Sequence, residues 1–131
     1  MSNIEKYTGS DIGEFIGYIH KGGKVKSFDE DIYLINIHVA GLYYIEDIDE
    51  ILSDMKIGDI LKLSREKCNR YDSYAILIKY NNKKVGYVPK NKNLVLANLM
   101  DGGKELYGVI TSLSEPFENY KSIKCDVFLK D

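Results

Sequence analysis

Residues 74–89 read YAILIKYNNKKVGYVP. Aliphatic, β-branched and aromatic side chains fill two runs, 74–80 and 83–88, a composition that suits a pleated, half-buried surface. Between the runs stand Asn81 and Asn82, residue types that tolerate the positive φ of a tight turn. The stretch predicts a β-hairpin. Pro89 has no N–H to donate and stops the pairing.

Working outward, Gly58-Asp59 reads as a turn, and Ile60, Leu61 and Leu63 open a strand before the polar loop 65–73, REKCNRYDS. Residues 32–40, IYLINIHVA, alternate through Ile35, Ile37 and Val39, the period of a strand with one buried face. Residues 46–56 place Ile48, Ile51, Leu52 and Met55 on one helical face, with acidic residues crowding the first turn beside the positive end of the helix dipole. Beyond Pro89, residues 91–100, NKNLVLANLM, read as a short buried helix closed by Gly102-Gly103. Residues 105–113 and 121–129 read as the last two strands. About six short strands with two or three short helices make an α+β, mainly β chain. That count suits a small OB-like β-barrel, closed or nearly so, because closure removes exposed strand edges. Residues 1–30 are an N-terminal extension with a short helix over 11–20, marked by Ile12, Phe15, Ile16 and Ile19, and residues 31–131 form the domain.

Composition bounds function. The 131 residues include eleven Tyr, four Phe and no Trp, and carry a net charge of −2. That sum hides a division along the chain. Residues 1–61 carry 12 acidic and 5 basic side chains, residues 62–92 carry 2 acidic and 9 basic, and residues 93–131 carry 6 acidic and 4 basic. One stretch of net +7 is thus set between acidic flanks, the footprint of a phosphate-bearing partner or of a lysine-rich solvated face. Cys68 and Cys125 form no CxxC pair, and His20 and His38 complete no zinc pattern, so no metal and no cofactor is expected. No Ser/His/Asp or Cys/His constellation can be read, so no enzyme is expected. The start of the chain has no signal-peptide pattern and no segment is apolar enough to span a bilayer. Two reduced thiols in a cytoplasmic protein are the expectation.

Four segments carry a resemblance: HVAGLYYI at 38–45, REKCNRYDSYAI at 65–76, VGYVP at 85–89 and NLVLANLMDGG at 93–103. In this order they resemble the HIRAN family, whose segments take the forms V-A-G-x-x-Y-Y, R-E-P-x-N-x-Y-D-x-x-A-I, G-Y-V-P and N-x-x-L-A-x-L-L-D. Two departures stand out. Counting on from Gly41 puts Tyr44 at the first Tyr of the opening motif and Ile45 at the second, with Tyr43 at a variable place. In the second motif Lys67 replaces the usual Pro, and Arg70 stands where Pro is frequent. The resemblance implies a modified OB-like barrel that recognises the 3′ end of single-stranded DNA, in repair or replication-related processing, here as a standalone protein without a Walker motif.

On that reading, Tyr44 and Tyr71, with Tyr43 beside them, offer stacking surfaces to unstacked bases. Asp72, ionised, can only accept hydrogen bonds, so it would accept from a 3′-hydroxyl and repel a 3′-phosphate. Arg65, Arg70 and Lys90 would hold the last phosphates, and Asn69 a base edge or the backbone. Each residue also has a plain structural reading: Asp72 as a turn former, Arg65 as a surface ion-pair partner, Tyr44 as core. The alternative function is a protein-interaction module presenting the acidic helix at 46–56 to a helicase or nuclease.

Overall fold

The computed structural model describes residues 30–131. The helix expected over 11–20 lies outside the described residues. The elements run β1 (Ile32–His38), a 3₁₀ turn (Leu42–Tyr44), α1 (Ile48–Asp54), β2 (Ile60–Arg65), β3 (Ile76–Tyr80), β4 (Lys83–Tyr87), α2 (Lys90–Asp101), β5 (Leu106–Leu113) and β6 (Ile123–Leu129). All neighbouring strands are antiparallel, in the order β1-β6-β5-β2-β3-β4. This is the mainly β, OB-like architecture that the sequence predicts.

The hairpin forms as its turn chemistry requires. Asn81 and Asn82 take φ of 48° and 68°, and positive φ at both central residues matches the right-handed twist of the flanking strands. A bulge opposite Ile78 and Lys79 shifts the register of β4. Tyr74 and Ala75, read as the start of β3, belong instead to the preceding loop. Their backbone groups are held by that loop: the Tyr74 amide donates to Asp72 Oδ1 at 2.9 Å, and the Ala75 carbonyl accepts from the Glu66 amide at 3.0 Å.

The sheet curls until its two edges touch. Beyond β1, Ala40 pairs with Tyr87 at the end of β4 as one isolated bridge, with N–H···O bonds of 2.8 and 2.9 Å. Among the described residues this bridge is the contact between the edges, so the barrel is nearly closed. Gly86 makes the approach possible. Its φ is 156°, and a Cβ there would fall on the Ala40 carbonyl oxygen and lie 2.6 Å from Val39 Cγ1. Past the seam, Gly41 adopts the left-handed conformation at φ 82° and starts the 3₁₀ turn.

Alternating side chains of every strand fill the barrel. Ile37, Leu61, Ile76, Ile78, Val85, Leu106, Ile110, Ile123 and Val127 are sealed from solvent, and Ile51 of α1 joins them. Tyr80 is buried with them, its hydroxyl donating to Asp59 Oδ2 at 2.7 Å. Cys125 is sealed in the same core, and burial, with Asp126 nearby, pushes its thiol up to about 12. Cys68 is exposed, and both thiols are free. α2 is less buried than its sequence suggests. Asn93, Leu96 and Ala97 face the barrel, whereas Leu94 and Val95 are exposed and line an open groove with Leu34 and Ile35 of β1. Among the described residues no helix is long and apolar enough to cross a membrane.

The seam gives a direct test. Gly86→Ala forces Cβ against backbone at the closure and should cost about 1–3 kcal/mol, the range for overpacking. The check is a fall in the urea midpoint at unchanged slope; an unaltered midpoint would show that the seam does not hold the barrel.

Candidate nucleic-acid interface

The loop between β2 and β3 has no regular structure, so its backbone groups need side-chain partners. Asn69 supplies two. Its Oδ1 accepts from the Tyr71 and Asp72 amides at 2.8 and 3.0 Å. Its Nδ2 donates to Glu66 Oε1 at 3.0 Å. The same Glu66 oxygen accepts from the Tyr87 hydroxyl at 2.8 Å. These two bonds, Asn69 first, hold the Glu66 carboxyl below the usual carboxylate range, helped by Lys84 and Lys79.

Asp72 is fixed from both sides. Oδ1 accepts from the Tyr74 amide at 2.9 Å, a turn within the loop, and Oδ2 accepts from Asn93 Nδ2 of α2 at 2.8 Å. Each carboxylate oxygen offers about two acceptor sites, so each keeps one open. The turn-forming reading of Asp72 therefore describes its geometry and leaves it capacity for a ligand hydroxyl.

Arg65 is committed to the fold. Nε and Nη2 grip the Asp101 carboxylate at 2.9 and 3.2 Å, Nη1 donates to the Ala75 carbonyl at 2.7 Å and Nη2 to the Ser73 carbonyl at 2.9 Å. Its side chain is only 10% exposed. The guanidinium ties the far limb of the loop to the end of α2, so it braces the site and does not present a free cation to a phosphate.

The remaining cations are open. Arg70 is exposed and lies 5.9 Å from the centre of the Tyr71 ring. Lys90, first residue of α2, donates to the Tyr71 carbonyl at 3.2 Å and keeps two further N–H donors. The rings themselves are bare: Tyr44 is 91% and Tyr71 80% exposed. Tyr44 is not core. Tyr87 joins the two regions, because its backbone pairs with Ala40 just before the 3₁₀ turn and its hydroxyl reaches Glu66 at the start of the loop.

Tyr43 is tied to a different segment. Its hydroxyl accepts from the Lys121 amide at 3.0 Å, fastening the turn to the β5–β6 connection. Asp49 of α1 completes this clamp, accepting from Lys121 Nζ at 2.8 Å and from the Phe117 amide at 2.9 Å. The Lys121 bond, then the Phe117 bond, hold the Asp49 carboxyl below its usual range. The clamp sets Phe117, at φ 66°, and Tyr120 out into solvent. Sequence reading assigned these two rings no role. It also missed Asn93, though a signal was present: Asn93, Leu96, Ala97 and Met100 follow the i, i+3, i+4, i+7 rule, so a polar residue stands on the apolar stripe of α2.

The HIRAN-domain model matches residues 32–130. The chain belongs to the HIRAN family. No curated protein matches it. Among solved structures, a protein from Lactobacillus plantarum is 30% identical, with a TM-score of 0.69, over 76% of this chain and 94% of its own. The HIRAN domain of human HLTF is 24% identical, with a TM-score of 0.57, over 76% of this chain and 78% of its own. The HLTF HIRAN domain in its DNA-bound conformation is 23% identical, with a TM-score of 0.51, over 78% of this chain and 80% of that one. These likenesses to HLTF carry the fold.

In this HIRAN domain the brace on the loop is testable by pH. Arg65 holds the Asp101 carboxyl below its usual range, with Lys67 adding to it. The folded chain therefore releases that proton more readily than the unfolded chain. The stabilisation is complete above the ordinary aspartate value of about 4 and is lost as pH falls through the lowered folded value. Asp101→Asn should lower the thermal midpoint clearly at pH 7 and much less near pH 3. An equal loss at both pH values would refute an ionic brace.

Proposed function

We propose that this HIRAN domain binds the 3′-hydroxyl end of single-stranded DNA and performs no covalent chemistry on it. One observation carries the reading: a bare phenol ring, Tyr71, is followed in the chain by a carboxylate, Asp72, held rigid by the Tyr74 amide and Asn93, and a second bare ring, Tyr44, follows the Ala40–Tyr87 seam. Terminal bases are unstacked and need a flat apolar partner, which the rings offer. Asp72 accepts the terminal hydroxyl and repels a terminal phosphate. Arg70 and Lys90 neutralise the adjoining phosphates, while Asn69 and Arg65 hold the loop in shape. Because Asp72 is already fixed, little ordering remains to be done on binding. The HLTF HIRAN domain has a DNA-bound conformation, which supports the DNA-binding part of this reading.

A role in repair or replication-related processing follows from end recognition, with a helicase or nuclease acting on the same end, and a cytoplasmic setting suits the free, exposed Cys68 thiol. The acidic helix is a weaker candidate for the working face, since Asp49 is engaged by Lys121 and Phe117.

Fluorescence anisotropy with a labelled oligothymidylate at low salt tests the proposal. Tyr44→Ala and Tyr71→Ala should each weaken binding about 5- to 150-fold, the equivalent of about 1–3 kcal/mol per stacked base. A 3′-phosphate should weaken binding to the parent protein, and Asp72→Asn should erase that discrimination. Equal affinity of the parent protein for the two ends would sink the role given to Asp72.

A further inference from the structure

One line of cross-strand neighbours crosses all six strands on the outer face of the sheet. Tyr33 pairs with Phe128, Phe128 with Tyr107, Tyr107 with Lys62, Lys62 with Lys79, and Lys79 with Lys84. Its two halves differ in kind. The aromatic half is turned on itself: Tyr107 and Phe128 stack at 5.6 Å, and Tyr33 meets Phe128 edge-on at 5.8 Å. All three rings are half-buried, so this half is no open stacking platform.

The lysine half is open. Lys62 and Lys84 are exposed and Lys79 is half-buried. Like charges directly opposite each other in a sheet repel. Among the described residues, none of the three makes an ion pair. Glu66 feels Lys84 and Lys79, but its Oε1 is engaged by Asn69 and Tyr87. With strands about 4.8 Å apart, the three positions cover about 10 Å. The sheet holds a short file of three cations in register, and the single charge of Glu66 offsets only part of it.

Tyr87 links one end of the file to the loop already described. Lys84 Nζ lies 4.8 Å from the centre of the Tyr87 ring. Tyr87 donates to Glu66, which accepts from Asn69, the residue that holds the Tyr71 and Asp72 amides. A polymer entering at that loop and carrying one negative charge per unit would find the lysines next along its path. We infer that Lys84, Lys79 and Lys62 form a rail for the phosphates on the 5′ side of a single strand whose 3′ end sits at Tyr71 and Asp72. The inference rests on the end-binding reading and extends it from the last nucleotides to the strand behind them. Ammonium groups act there as point charges, so the rail is indifferent to base sequence.

Salt titration of two oligothymidylates with free 3′-hydroxyls, three and twelve nucleotides long, separates the rail from the end site. Each single-strand phosphate contact contributes about −0.7 to the log–log salt slope. Three further contacts should make the slope for the twelve-mer steeper by about 2, a difference of roughly 20-fold in affinity between 50 and 200 mM salt. The Lys62→Gln/Lys79→Gln/Lys84→Gln variant should bring the twelve-mer to the slope of the three-mer and leave three-mer binding unchanged, which also certifies its fold. Equal slopes for the two lengths, or a steeper slope that survives in the variant, would overturn the rail while three-mer binding kept the end site. Loss of three-mer binding in the parent protein, with lysine-dependent twelve-mer binding retained, would reject the end site and keep a phosphate-binding rail.

Discussion

Two backbone hydrogen bonds between Ala40 and Tyr87 join the edges of a six-stranded sheet. The contact is small, yet it sets the geometry around it. It requires a residue without Cβ at position 86. It places the 3₁₀ turn with Tyr43 and Tyr44 immediately beyond the seam. Through the Tyr87 hydroxyl it also reaches the β2–β3 loop. Ala40 and Glu66, distant in sequence, are thus both held by Tyr87, one residue that serves closure and loop.

The polar residues there divide into those that build and those that remain available. Asn69, Glu66, Arg65 and Asp101 answer the hydrogen-bonding needs of an irregular backbone and of one another. What they leave over is specific: two phenol rings, two cations and the spare acceptor sites of Asp72. The loop is thus ordered by its own hydrogen bonds, and the Asn93–Asp72 bond extends that order into α2.

Charge follows the same division. The acidic helix α1 is partly consumed by the clamp on Lys121 and Phe117. The basic stretch falls on β2, β3, β4 and the start of α2, and because these strands are neighbours, Lys62, Lys79 and Lys84, scattered along the chain, become adjacent on one face. A net charge of −2 conceals this, since net charge carries no information on position.

Short-range physics made much of the fold readable from residue order. Period-two alternation marked the strands, Asn81-Asn82 the turn between β3 and β4, and Gly and Pro the ends of elements, because each rests on contacts within a few residues. The ordered segments around Tyr44, Tyr71 and Asp72 marked the family in the same way. Residue order could not say that Arg65 would turn inward to Asp101, 36 positions away, or that Tyr43 would fasten to Lys121. Nor could it say that Asn93 would hold Asp72, or that three lysines on three strands would fall into one file. Those outcomes depend on strand register and on closure at Ala40 and Tyr87, and a side chain's partner across the barrel exists only once the whole chain has folded.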